Sequence, residues 1–237
     1  MDAPEPTPPD PEVARAADRS LIGTVEGLTD DQLAAPSLLP GWTRAHVVAH
    51  LALNAEALTG VLRGAASGEP VPMYPSQAVR DSDIEELAGA SRDELRARLV
   101  QGTEGFAEAA ADPPDPGDAR FDRVPGGPSL PVAAVRLMRW REVEIHHADL
   151  DAGYTRADWT DDFTVALLDS MAHRPWLRPG RLQATDLGRS WEYGDRAGGD
   201  VPTISGQARD LGWWATGRGT GEGLTTDHDT LPEVQGW

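Results

Sequence analysis

The chain has 237 residues, a formal charge of -18 at pH 7 and a pI near 4.6. So acidic a balance argues against a nucleic-acid backbone or an anionic membrane as partner, and the length supports a real core in one large domain or two small ones. Cysteine is absent, and all 21 basic residues are arginine. That excludes disulfides, thiolate metal ligands, a cysteine nucleophile, a lysine Schiff base and a P-loop lysine. Any thiol chemistry must use a thiol from outside the protein.

In chain order, residues 1–9 read as a disordered leader, acidic and proline-rich rather than signal-like. No apolar run approaches the roughly 20 residues of a membrane span. The expected location is the cytoplasm. Asp10-Pro11-Glu12 is a helix start, with proline at the first helical position. The helix runs to about Gly27 and turns Val13, Ala17, Leu21 and Val25 inward. Thr29-Asp30-Asp31-Gln32 forms a capping box for a short helical turn. Gly41 ends a turn, and Thr43 caps a long helix to about Arg63 with Val47, Leu51, Leu58 and Val61 or Leu62 on its apolar stripe.

Prolines 70, 72 and 75 make a loop of Gly68–Pro75, and a short helix follows around Ile84–Leu87. Ser91-Arg92-Asp93-Glu94 is a second capping box, opening a helix to about Ala111. Pro113–Gly117 is a break. Phe121–Pro128 is a small hairpin or an irregular loop. A helix then begins near Pro131 and ends near Gly153. Four substantial helices make an antiparallel bundle over residues 10–155.

After Tyr154 the pattern changes. Asp161–Arg174 is one more helix. Arg181–Asp186, Ser190–Tyr193 and Val201–Ile204 alternate between Gly and Asp punctuation, as in antiparallel strands. Ser205 is placed to cap a helix over Gly206–Thr216, and Leu224–Thr226 is a last strand. Residues 156–237 thus form a small α+β domain, the whole chain is α+β, and the pocket is expected at the junction of the two domains.

The chemistry is concentrated in the helix around Glu142. Val132, Val135 and Met138 define an apolar stripe, and continuing it by turns reaches Glu142, His146 and Leu150. A carboxylate and an imidazole four residues apart therefore stand where a bundle core would want aliphatic groups. Burying both is costly unless a partner such as a divalent cation satisfies them. A half-exposed Glu–His pair is the alternative that this helix alone leaves open. His50 lies inside the stripe of the earlier long helix, with His46 one turn before it and Asn54 one turn after. Two His and one Glu suit a zinc site with an open fourth position. His46 and His50 are also four apart and form a competing pair of ligands. Glu144 and His147 face away from Val135 and Met138 and read as supporting or surface groups. One of Arg139 and Arg141, which flank Glu142, reads as a surface ion-pair former. His173 and His228 read as structural, and Trp213-Trp214 as core.

Leu39-Pro40-Gly41-Trp42-Thr43 with His46 and His50, followed at long interval by Arg141-Glu142-Val143-Glu144-Ile145-His146-His147-Ala148-Asp149-Leu150, resembles the mycothiol-dependent maleylpyruvate isomerases. Gly206…Asp210-Leu211…Trp214…Thr216-Gly217-Arg218 and Leu231-Pro232…Trp237 resemble that family's second domain. The resemblance implies a DinB-like four-helix bundle. It implies zinc held by His50, Glu142 and His146, and a functional arginine that falls near Arg80. It further implies mycothiol as cofactor and a monomeric enzyme for a small anionic substrate. Its reaction would be cis–trans isomerisation of maleylpyruvate or a similar unsaturated keto acid to fumarylpyruvate. A mycothiol S-transferase or thiol-exchange enzyme is the alternative, and a non-catalytic metal-binding or regulatory module a further one.

Overall fold

Asp10 opens the first helix of the computed structural model: its carboxylate accepts from the Glu12 amide at 2.8 Å, and α1 runs Pro11–Gly27. The structure describes residues 8–111, 117–171, 179–194 and 201–234. Most of the leader, all of the 113–117 break except Gly117, His173 and Trp237 lie outside these. Two units can be distinguished, residues 8–155 and residues from Arg156 onward.

In α1, Ala17, Leu21 and Val25 are buried as expected, but Val13 is exposed. The inward face runs back from Val25 through Leu21 to Asp18, and at about 3.6 residues per turn it lands on the half-buried Ala14 instead. The short α2 (Asp30–Ala34) has the Thr29–Gln32 capping box. Helix α3 (Arg44–Ser67) is a turn longer than its stripe suggested and stops at Gly68, whose φ of 75° suits glycine and whose amide reaches the Ala65 and Gly64 carbonyls. By length and composition α3 does reach what a membrane crossing requires, contrary to expectation. Yet 72% of its most apolar window is buried inside the protein, because α4, α5 and α6 pack around it.

Helix α4 (Gln77–Ala88) starts earlier than expected, since Ser76 behind the prolines accepts from the Val79 amide at 3.1 Å. Arg80 therefore sits on a helix rather than in a loop. Helix α5 (Arg92–Ala111) lies close against α3 at Gly102, where an added Cβ would stand 2.9 Å from the Ala52 carbonyl oxygen. The hairpin β1 (Arg120–Asp122) and β2 (Ser129–Pro131) is antiparallel. Its Asp122 and Arg123 carbonyls accept from the amides of Met73 and Tyr74 at 2.8 and 2.9 Å, which fixes that loop. A short 3-10 turn (Val132–Ala134) leads into α6 (Val135–Asp149). Leu58, Val61, Leu62, Tyr74, Phe106 and Val135 are among the residues that close the core below the polar groups.

The second unit has α7 (Asp161–Met171), a sheet in the order β4-β3-β5-β6, and α8 (Ala208–Ala215). Strands β3 (Gly180–Ala184) and β4 (Arg189–Tyr193) form an antiparallel pair. However, β5 (Thr203–Gly206) pairs with β3 in parallel, not antiparallel. Alternation specifies which face a strand buries but says nothing about its neighbour's direction. The short β6 (Thr225–Thr226) runs antiparallel to β5. Ser205 lies within β5 and does not cap α8; Gln207 occupies that place without a side-chain bond. Trp213 and Trp214 are buried, and the Trp213 ring meets Trp159 edge-on at 5.8 Å. His228 is exposed. The chain is α+β, with a helical N-terminal unit and a small sheet after it.

Candidate metal centre

The turn before α3 and the end of α6 are stitched together. Leu38 donates its amide to the Asp149 carbonyl at 2.9 Å. Arg44, on the first turn of α3, donates to the Leu150 and Asp151 carbonyls at 2.6 and 2.7 Å. These bonds use carbonyls that the end of α6 leaves without helical partners. They also set the register in which α3 and α6 meet, so that His50 faces Glu142 and His146.

The three side chains converge. His50 Nε2 lies 2.9 Å from Glu142 Oε2, and His146 Nε2 lies 3.3 Å from the same oxygen. One potential ligand atom from each residue falls within 4.8 Å of the others. The imidazole rings cross nearly at right angles, 88°, with centroids 4.7 Å apart. Trp42, placed by Gly41 at φ 80°, covers the edge of His50. His146 Nδ1 lies 2.8 Å from a carboxylate oxygen of the fully buried Asp149.

This arrangement fits a cation. If His146 donates a hydrogen bond from Nδ1–H to Asp149, its Nε2 lone pair faces the Glu142 oxygen, and two acceptors at 3.3 Å repel unless a proton or a metal ion stands between them. Burial pushes the Glu142 carboxyl up, but the hydrogen bonds to His146 and His50 outweigh it and hold the group well below the usual range. Burial pushes His146 down, yet its bonds to Asp149 and Glu142 leave it raised. For His50 burial dominates and lowers it to about 4, so its ring is neutral and available as a ligand. A metal ion bound at Nε2 would replace the proton His146 shares with Glu142, and two imidazoles and one carboxylate then form a donor set suited to zinc with an open position.

A cavity of about 160 Å³, open to solvent, adjoins His50. Leu53, Ala57, Met73 and Tyr74 give it apolar walls, while Glu56, Arg80 and Asp83 supply charge. Every lining residue comes from the N-terminal unit. Arg80 Nη2 stands 3.3 Å from His50 Nδ1, and Nη1 donates to Asp81 at 2.8 Å. The guanidinium also lies 5.7 Å from the Tyr74 ring centroid. Arg80 is thus both paired with Asp81 and turned into the cavity.

His46 does not join the cluster: its Nδ1 lies 2.7 Å from Thr43 Oγ1, and its Nε2 faces Glu85 at 3.3 Å. The capping role of Thr43 draws this ring toward the helix end. Arg139 and Arg141 are buried, not surface groups. Arg139 donates to the Leu51 carbonyl at 2.7 Å and to Asn54 and Thr103 at 3.2 Å each, and lies 3.5 Å from Asp18. Glu144 and His147 are buried as well. Glu144 accepts from Trp140 and from the Tyr154 hydroxyl; burial lifts its pKa despite those donors. The His147 ring stacks on Tyr154 at 3.7 Å and bonds Thr24 at 2.7 Å. One stripe of α6 cannot reveal this, because α1, α3 and the following loop surround the helix. Asp149 had no role assigned from sequence. Its signal was a carboxylate three residues after a candidate histidine ligand.

Residues 14–151 match the model of the mycothiol maleylpyruvate isomerase N-terminal domain. Two solved structures are similar over 96% of this chain and 95% of their own, each with a TM-score of 0.84. One is the mycothiol-dependent maleylpyruvate isomerase, 26% identical, and the other a histidine-to-alanine mutant, 25% identical. No curated protein sequence gives a match.

Proposed function

The chain belongs to the mycothiol maleylpyruvate isomerase family, and we propose that it is a mycothiol-dependent zinc enzyme converting the cis double bond of maleylpyruvate, or of a similar unsaturated keto acid, to trans. The observation that carries this reading is the convergence of His50, Glu142 and His146 beside a cavity lined by Arg80. Zinc in such a site supplies Lewis acidity that brings the pKa of a bound thiol or water close to neutral.

The protein's own groups do the rest. Glu142 gives the site one negative charge, and His50 and His146 serve as neutral donors. Arg80 offers a planar fork for a substrate carboxylate. Met73, Tyr74 and Leu53 offer the substrate an apolar wall. The thiol sulfur adds to one carbon of the cis double bond, and the electron pair moves onto the conjugated carbonyl as an enolate. The former double bond is then single and rotates. Collapse of the enolate expels the sulfur and restores the double bond as trans, so the thiol is recycled. With no cysteine in the chain, that sulfur comes from the cosubstrate.

The test has two parts. Purified protein should hold about one zinc per chain by elemental analysis, and His50→Ala and Glu142→Ala should each lose it. Full occupancy in both variants would remove the assignment. Zinc-loaded protein with mycothiol and maleylpyruvate should form the trans product while the free-thiol concentration stays constant. Stoichiometric thiol consumption would instead make it an S-transferase, and turnover after exhaustive removal of thiol would end the mycothiol reading.

A further inference from the structure

The two histidines of the centre are held by opposite kinds of partner. His146 Nδ1 faces the Asp149 carboxylate at 2.8 Å, whereas His50 Nδ1 faces the Arg80 guanidinium at 3.3 Å. Asp149 is the last residue of α6 and is fully buried. A carboxylate there opposes the negative end of the helix dipole and loses its hydration, so its position costs stability unless something answers its charge. The imidazole N–H of His146 does so. The same bond orients the ring, turning Nε2 toward Glu142 and His50. The Leu38 amide bonded to the Asp149 carbonyl holds the backbone that carries this carboxylate.

We propose that Asp149 is a positioning residue for the metal centre: it keeps the Nδ1 proton of His146, directs Nε2 at the ion and makes His146 the more strongly donating of the two imidazoles. Among the described residues, Arg80 and not a carboxylate stands at His50 Nδ1. A carboxylate hydrogen-bonded behind a ligating imidazole raises its basicity and fixes its tautomer, and removing such a partner typically lowers metal affinity about 10- to 100-fold. The inference rests on the zinc reading above and adds a division of labour within the ligand set.

The experiment measures zinc affinity by chelator competition on the full chain and on Asp149→Asn, with Asp149→Glu as a second variant and circular dichroism to establish folding. Asp149→Asn should bind zinc about 10- to 100-fold more weakly, and the cobalt-substituted protein should show a shifted d–d spectrum. A folded Asp149→Asn with affinity within twofold of the parent and an unchanged cobalt spectrum would overturn the proposal. Asp149→Glu, which keeps a carboxylate, should retain more of the affinity than Asp149→Asn; a folded Asp149→Glu that binds no better than Asp149→Asn would count against a carboxylate role. An independent reading comes from nitrogen-15 NMR of the unsubstituted, zinc-loaded protein, which does not depend on any variant folding. His146 should carry its proton on Nδ1, and a proton on Nε2 would refute the proposal. Failure of the unsubstituted chain to bind zinc would instead defeat the underlying zinc reading, so the two failures are distinguishable.

Discussion

Arg80 is the residue whose contribution is most open to measurement. Its side chain is 13% exposed, and its guanidinium divides its bonds between Asp81 outside and His50 inside. A substrate carboxylate entering the cavity would exchange the weak 3.3 Å contact to His50 for a charge-assisted pair. Arg80→Ala should therefore keep its zinc and lose roughly 10- to 1000-fold in kcat/KM, corresponding to about 1.5–4 kcal/mol for a lost charged hydrogen bond. Arg80→Lys should recover only part, because an ammonium lacks the fork. Steady-state kinetics on zinc-loaded variants with dianionic and monoanionic substrates checks this. Equal losses on both would assign Arg80 to thiol binding, and no loss on either would leave it a partner of Asp81 alone.

At the scale of elements, the centre depends on how closely α3 meets its neighbours. Gly102 of α5 lets the helices approach until an added Cβ would lie 2.9 Å from the Ala52 carbonyl and 3.4 Å from the Ala55 methyl group. Ala52 is two residues from His50, so pressure there is transmitted along the helix that carries a ligand. In isolation, Gly→Ala inside a helix stabilises by about 1 kcal/mol. Here the clash is with backbone, which cannot rotate away, and overpacking of this kind costs about 1–3 kcal/mol. Gly102→Ala should thus be net destabilising or neutral in denaturant titration, while Gly105→Ala, where nothing stands within 4 Å, should stabilise. A gain in both would show that α3 and α5 have slack between them.

For the whole molecule, the dominant quantity is charge. A chain of -18 repels a dianionic substrate over distances beyond the cavity. Salt screens that repulsion, with a Debye length near 10 Å at about 0.1 M, while the short-range pair at Arg80 is screened less. The kcat/KM for a dianion should therefore rise between about 10 and 150 mM NaCl. A fall over that range would mean that local attraction at the cavity governs capture, despite the net charge.

Local chemistry was readable along the chain. Thr43 announces the start of α3 because its hydroxyl competes for a backbone N–H within one turn. Glu142 and His146 announce a site because a four-residue spacing on a helix puts both on one face, where an apolar stripe should continue. The resemblance carried by those same segments named the family, and the fold class followed. What lay beyond one turn was not readable. Arg139 looked like a surface cation until Asp18, Asn54, Leu51 and Thr103 from three other helices were seen to satisfy it. The parallel pairing of β3 with β5 depends on chain crossing, which no alternation encodes. Asp149 sits three residues from a ligand in sequence, yet its bearing on His146 depends on burial and on the stitching of α6 to Leu38 and Arg44. A side chain's type and spacing set what it can offer, and the packing around it decides whether water, another residue or a metal ion receives that offer.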